Sequence, residues 1–274
     1  MKKALILYSG GLDSRLAVEI LKEKGYTVEA ISFKLPFGCT AKKTKSSKNL
    51  KIKNIDLTKE PLLSEYLKII KNPKHGTGAG INPCRDCKIF MFKLAKEFAD
   101  KNNIKIIATG EVIGQRPMSQ TKNSMKLIDD EIGFKLTRPL IELGIRGRSR
   151  KKQLALAKKY RIKYPSPGGG CALCEKQVAN RIKTLIEKKL ITEKTLPLSK
   201  IGRHFIISNV WFVVARNETE SNIISKFKTI IPDAKGKPSV YYSKAKGKEN
   251  AIKLQEAYST GEEKMREDFK EYKL

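Results

Sequence analysis

The sequence is short of several things. Only 7% of its 274 residues are aromatic, with a single tryptophan, and only two are histidine. So small an aromatic supply argues against a stacking platform for single-stranded nucleic acid. Neither His75 nor His204 has the partner spacing of a metal site. No run of eighteen apolar residues occurs, so no membrane span and no membrane partner are expected. The apolar run near the start, ALILY (Ala4–Tyr8), is too short for a secretory signal core. Acidic residues are also scarce: 28 Asp and Glu stand against 57 Lys and Arg, a formal net charge of +29. That excess suits a polyanionic partner, because neutralising phosphates releases counterions. The competing reading is a surface merely solvated by lysine. The cysteine count of five is odd. It fits poorly with a disulfide framework and, without a secretory segment, points to a reducing cytoplasm.

What is present is a core and an order of elements. Hydrophobic residues make up 40%, enough at this length for one large domain or two. The run Ala4–Tyr8 reads as a buried strand, and RLAVEILKEKG has helical spacing that stops at Gly25. Thr27–Phe33 reads as a second strand. Strand, turn, helix, strand is a βαβ unit, so an α/β fold with a parallel sheet is expected. Leu50–Leu57 alternates like a strand, Asp86–Asn102 has the pattern of a long helix, and Ile104–Gly110 resembles another central strand. Residues 38–49 and Asn72–Pro83 read as loops, Arg150–Tyr160 as a basic helix, and YPSPGGG (Tyr164–Gly170) as a tight loop. A composition shift at Thr195–Lys200 divides the chain into expected domains of 1–194 and 195–274. In the second, HFIISNVWFVVARN alternates like a β-hairpin, giving a small α+β domain, and the charged tail from Lys246 reads as a surface helix.

Between the first strand and its helix stands Ser9-Gly10-Gly11-Leu12-Asp13-Ser14. A helix N-terminus after a glycine turn offers free N–H groups and a positive dipole end to an anion. Gly10 and Gly11 allow close backbone approach. Ser9 and Ser14 add hydroxyls, and Asp13 can hold Mg²⁺ or orient a cofactor. No Gly-Lys-Ser/Thr follows, so this is not a Walker A loop.

The SGGLDS motif resembles the signature of the PP-loop ATP pyrophosphatases. The resemblance implies an adenine nucleotide α-hydrolase-like fold, cleavage of ATP between its α and β phosphates, and adenylation of a carbonyl oxygen. It also implies that the backbone near Ser32 and Phe33 receives adenine. Thr109-Gly110-Glu111-Val112-Ile113-Gly114-Gln115, continuing to Ser119-Gln120-Thr121, is similar to the tRNA 4-thiouridine synthetases within that family. Arg138-Pro139-Leu140 repeats a further fragment, and Cys171 lies where their reactive cysteine is expected. This resemblance covers residues 1 to about 175. It places Gly110, Glu111 and Gln115 near the nucleotide. It implies ATP and Mg²⁺ as cofactors, tRNA as partner, and a sulfur donor such as a cysteine desulfurase or sulfide. With SGGLDS starting at residue 9, the N-terminal RNA-capturing domains usual in that family, and the rhodanese domain of some members, are expected to be absent. The segment Gly202–Asn222 resembles, more weakly, a small module of RNA-associated NFACT proteins. It offers Arg203, His204 and Arg216 as RNA contacts, against the plainer reading of a β-rich accessory domain.

Four of the cysteines form two C-x-x-C pairs, Cys84/Cys87 and Cys171/Cys174. Three chemistries fit. Cys171 carries a persulfide that a second cysteine resolves as a disulfide, with Arg85, Lys88 and the Gly168–Gly170 loop favouring the thiolate. Alternatively, Cys84, Cys87 and Cys171 hold a 4Fe–4S cluster, with Cys174 replacing or completing the set. Or all four bind zinc. Cys39 reads as an ordinary loop cysteine. The basic run within Arg146–Lys163 suits phosphate contact, or else is a solvated helix face. The activity expected is ATP-dependent tRNA thiolation of the 4-thiouridine type. The rivals are a 2-thiouridine or 2-thiocytidine synthase, a transferase acting on a small molecule, and a non-catalytic RNA-binding protein.

Overall fold

A computed structural model describes residues 2–38, 50–166 and 170–274. Cys39, most of the expected 38–49 loop, Gly168 and Gly169 therefore lie outside the described residues. The chain forms two compact units, Met1–Glu175 and Lys176–Leu274. The division falls before the composition shift at Thr195, because the helix that opens the second unit binds into it: Arg181 Nη2 donates to Ser199 O at 3.3 Å.

The first unit is built on a parallel sheet of five strands: β1 (Lys2–Leu7), β2 (Tyr26–Lys34), β3 (Lys51–Asp56), β4 (Ile106–Thr109) and β5 (Leu136–Thr137). Their order is β3-β2-β1-β4-β5. Six helices accompany them: α1 (Leu12–Glu23), α2 (Leu62–Lys71), α3 (Cys84–Lys101), α4 (Lys122–Ile132), α5 (Pro139–Glu142) and α6 (Lys151–Lys159). Alternation along β1 explains the layering. Leu5 packs with Ile89, Phe92 and Ala95 of α3 and Ile128 of α4. Ala4 and Ile6 pack with Ala17, Val18 and Leu21 of α1. The sheet is thus covered on both faces, as parallel sheets must be. The expected strands and the three expected helices all form. The long helix starts two residues earlier than its apolar pattern, so that Cys84 is its first residue. The chain runs outward from β1 to β3 and returns to β4 on the other side of β1, which opens a crevice at the C-terminal ends of β1 and β4.

The second unit holds α7 (Lys176–Glu187), β6 (Arg203–Ile207), β7 (Val210–Val214), α8 (Glu218–Ile224), β8 (Thr229–Ile230), β9 (Val240–Tyr242) and α9 (Lys248–Ala257). The strands form an antiparallel sheet in the order β6-β7-β9-β8. The expected hairpin is β6–β7. It turns at Ser208 and Asn209, both with positive φ (47° and 60°), the pairing that suits a tight hairpin. The tail is more than a surface helix. Ala251, Leu254 and Ala257 of α9 and Phe269 beyond it pack with Phe205, Phe212 and Val240 of the sheet. Three small or apolar positions suffice for this, and the charges around them hid the pattern.

Candidate active site

Ser9 to Gly11 links β1 to α1, and α1 begins with its N–H groups facing the crevice. Gly10 has φ +76°, a conformation that disfavours side chains. Gly11 is the N-cap, with no side-chain cap, so the first turn of a twelve-residue helix keeps its donors for a ligand. Local bonds hold the loop open. Ser14 Oγ donates to Gly11 O at 2.9 Å, Ser9 Oγ to Ser14 Oγ at 3.3 Å, and Arg15 Nε to Gly10 O at 2.7 Å. Gly110, at the end of β4, crosses this turn closely. A Cβ there would lie 2.6 Å from the backbone of Asp13.

Asp13 sits where α1 meets the Gly110–Gln120 segment. Its Oδ2 accepts from Gln115 Nε2 at 3.0 Å, while its Oδ1 is buried without a hydrogen-bond partner. Burial raises the Asp13 pKa, opposed by Gln115, Arg150, Arg116 and Gln153. An orphaned buried carboxylate oxygen beside an anion-binding loop fits the Mg²⁺ that the motif implies. Such an ion takes oxygen ligands and completes its shell with phosphate oxygens and water. Glu111 is turned inward. It is 4% exposed, accepts from Lys88 Nζ, and accepts from Arg138 Nε at 3.1 Å. Arg138 in turn grips Asp129 with both terminal nitrogens, at 2.8 and 2.6 Å. Ser32 and Phe33 lie half-buried at the end of β2, paired in register with Asn54 and Ile55 of β3.

The two C-x-x-C pairs converge. Asn82 N donates to Leu173 O at 3.1 Å, and Ala172 N donates to Phe37 O at 3.0 Å just beyond β2. These bonds draw the start of α3 and the Cys171–Cys174 turn together. Cys171 Sγ lies 3.4 Å from Phe37 O. The thiols are near enough for the charge on Cys84 and Cys171 to raise Cys87, and for Cys174 to raise Cys84. Burial is the larger cause and pushes Cys87 up to about 12. Lys88, Arg116 and Arg85 pull Cys84 down, but burial outweighs them, so the Cys84 and Cys87 thiols are protonated as placed. A residue that the sequence did not single out, Tyr66 of α2, sets its hydroxyl 3.5 Å from Cys87 Sγ. Its Leu63-Tyr66-Ile70 spacing reads only as a core face. Among the described residues no three His, Cys, Asp or Glu are placed to hold one metal ion. The arrangement of the described residues does not fit an iron–sulfur cluster or zinc.

In the second unit His204 is not an RNA contact. It is 1% exposed. Its Nδ1 accepts from Trp211 Nε1 at 3.0 Å, and its Nε2 lies 2.7 Å from Ile201 O. Those partners require the neutral ring with its proton on Nε2. Arg216 is held by Glu220, with Nη2 2.5 Å from Oε1. Arg203 lies over the Tyr258 ring, 5.2 Å from its centroid. No described helix is long and apolar enough to cross a membrane.

A glycine turn into a helix N-terminus at the switch point of a parallel sheet gives the first unit the architecture of nucleotide-binding α/β domains. Its sequence says which kind. Residues 1–177 match the family described as "Thiamine biosynthesis protein (ThiI)", and the chain belongs to that family. It is similar to probable tRNA sulfurtransferases of Thermoanaerobacter sp. (strain X514) and Thermoanaerobacter pseudethanolicus (strain ATCC 33223 / 39E). Each is 32% identical over 149 residues, covering 51% of this chain and 37% of the relative. The chain thus spans little more than a third of the length of these relatives. A solved structure of a 4-thiouridine synthetase–RNA complex with bound ATP aligns over 73% of this chain and 52% of its own, with 18% identity and a TM-score of 0.46.

Proposed function

We propose that this protein is an ATP-dependent tRNA sulfurtransferase of the 4-thiouridine type. One observation carries the reading. The phosphate loop and the four-cysteine centre open at the same edge of the sheet, with Arg116 near enough to act on both Asp13 and Cys84. The loop N–H groups and the positive end of α1 take the departing pyrophosphate. The uridine carbonyl oxygen attacks the α-phosphorus, giving an adenylated base. The terminal sulfur of a Cys171 persulfide then attacks the ring carbon and AMP leaves with the oxygen. The neighbouring Cys84 attacks Cys171 Sγ, in preference to Cys87, whose thiol burial pushes up to about 12, and the Cys84 thiol proton passes to the departing base. The base departs with its sulfur, and a disulfide remains for an external thiol to reduce.

The test supplies the chain with ATP, a tRNA transcript, a cysteine desulfurase with L-cysteine as the donor of persulfide sulfur, and dithiothreitol, and follows AMP, pyrophosphate and thiolated nucleosides. Asp13→Asn is expected to lower both AMP formation and thiolation by ~100-fold or more. Cys171→Ser abolishes thiolation while leaving RNA-dependent AMP formation. Absence of RNA-dependent AMP formation in the wild type would sink the proposal. Iron and sulfide at roughly four per chain in protein purified without oxygen would replace the persulfide route with a cluster.

The polyanion meets a defined face. Arg146, Arg148, Lys151, Lys152, Lys158, Arg161 and Lys163 are exposed along and around α6. None of them forms an ion pair among the described residues, whereas Lys159 is taken by Glu23 at 3.0 Å. Replacing Lys151, Lys152 and Lys158 by alanine is expected to reduce the slope of log affinity for tRNA against log salt by about one per residue. An unchanged slope would place the RNA elsewhere.

A further inference from the structure

The interior behind the phosphate loop contains a polar residue that the reaction above does not use. Gln153 lies on α6, the helix that packs on α1 through Leu12, Leu16 and Ala157. It is completely buried, and neither its Nε2 nor its Oε1 makes a hydrogen bond. Buried carboxamides without partners are uncommon, since each unmade bond carries its full desolvation cost. Gln153 faces Asp13, close enough to help hold that carboxyl down, although outside hydrogen-bond geometry. Gln115 Nε2 already donates to Asp13 Oδ2. Three orphaned buried atoms therefore meet beside the N-terminus of α1: Asp13 Oδ1 and both amide atoms of Gln153.

We infer that Gln153 is a positioning residue of the nucleotide site, which steadies the Asp13 carboxylate together with Gln115 and turns an amide oxygen toward the divalent cation that accompanies the nucleotide. The inference rests on the reading that this loop takes ATP. With Oδ2 taken by Gln115 and Gln153 outside hydrogen-bond geometry, Asp13 Oδ1 is the oxygen left over. Hard cations select oxygen donors, and their affinity depends on the groups that orient the first ligand. Gln153 sits inside a run, RSRKKQ, whose other side chains are mostly basic, so sequence alone reads it as part of a charged surface.

The experiment titrates Mn²⁺ into the full chain with α,β-methylene-ATP, following the manganese paramagnetic resonance signal and, separately, nucleotide binding by calorimetry. Gln153→Met, which keeps the side-chain length, is expected to weaken Mn²⁺ binding roughly 10–100-fold while nucleotide binding without metal stays within about twofold. Gln153→Glu, which restores an oxygen, is expected to recover Mn²⁺ affinity. Metal affinity within twofold of wild type in Gln153→Met overturns the inference, as does an equal loss in both variants. If the wild type binds neither the analogue nor the metal, the nucleotide reading falls and the inference with it.

Discussion

Replacing Glu111 with alanine is expected to lower the stability of the first unit by about 3–5 kcal/mol. Glu111 is 4% exposed and stands between two cations, Lys88 and Arg138, whose side chains are themselves largely buried. Removing the carboxylate leaves Lys88 without its anion. Arg138 keeps Asp129, at 2.6 Å, so the loss falls mainly on the lysine. Uncompensated buried charge is among the few single changes that cost this much. Glu111→Gln preserves the volume and one acceptor and should cost less. Urea unfolding followed by far-ultraviolet circular dichroism measures both. A Glu111→Ala midpoint equal to wild type would show that water already reaches the cations. The network also has a structural task. Lys88 lies one helical turn beyond Cys84 on α3, and Glu111 follows Gly110 at the end of β4, so the ion pair fastens the cysteine helix to the nucleotide strand.

Acidification from pH 7.5 to 4.5 is expected to destabilise the second unit by about 2.5 kcal/mol through His204 alone. Burial is the main cause that lowers its pKa from 6.5 to about 3, with Arg181 next. The unfolded imidazole takes up a proton near pH 6.5, whereas the folded one does not until about pH 3. Between those values the unfolded state holds more protons, so falling pH favours unfolding. The stability is intact above pH 6.5 and declines as pH falls toward 3. Trp211, the chain's single tryptophan, donates to His204, so its fluorescence reports on the unit concerned. His204→Gln keeps an acceptor for the indole N–H and cannot titrate. Its stability should be nearly flat between pH 7.5 and 5. A slope as steep as that of wild type would assign the effect to other groups.

Local signals in the sequence were legible where the physics is local. A glycine turn between an apolar run and an amphipathic helix has few other structures open to it, so SGGLDS and the βαβ unit around it could be placed from their own residues. The C-x-x-C pairs were also visible, because their residue types carry the chemistry wherever the chain takes them. Partners distant in sequence were not legible. Tyr66 occupies a helical core position and meets Cys87 only after α2 packs beside α3. Gln153 is polar within a basic run, and only the packing of α6 on α1 turns it inward. His204 illustrates the reverse error. A histidine between Arg203 and an apolar strand reads as a ligand-facing residue, but the alternation of β6 turns it to the sheet face it shares with Trp211. The surroundings of the Cys84 and Cys87 thiols were hidden for a related reason. The cations near the cysteines were visible in the sequence, but the burial that outweighs them was not.

The backbone bond between Asn82 and Leu173 has a consequence for the growing chain. Synthesis proceeds from the N-terminus, so the phosphate loop and β1 leave the ribosome long before the second C-x-x-C pair. Until Leu173 emerges, the start of α3 has no partner with which to gather the thiols. The glycine turn after β1 and the four thiols are therefore brought to one place only once the first unit is complete.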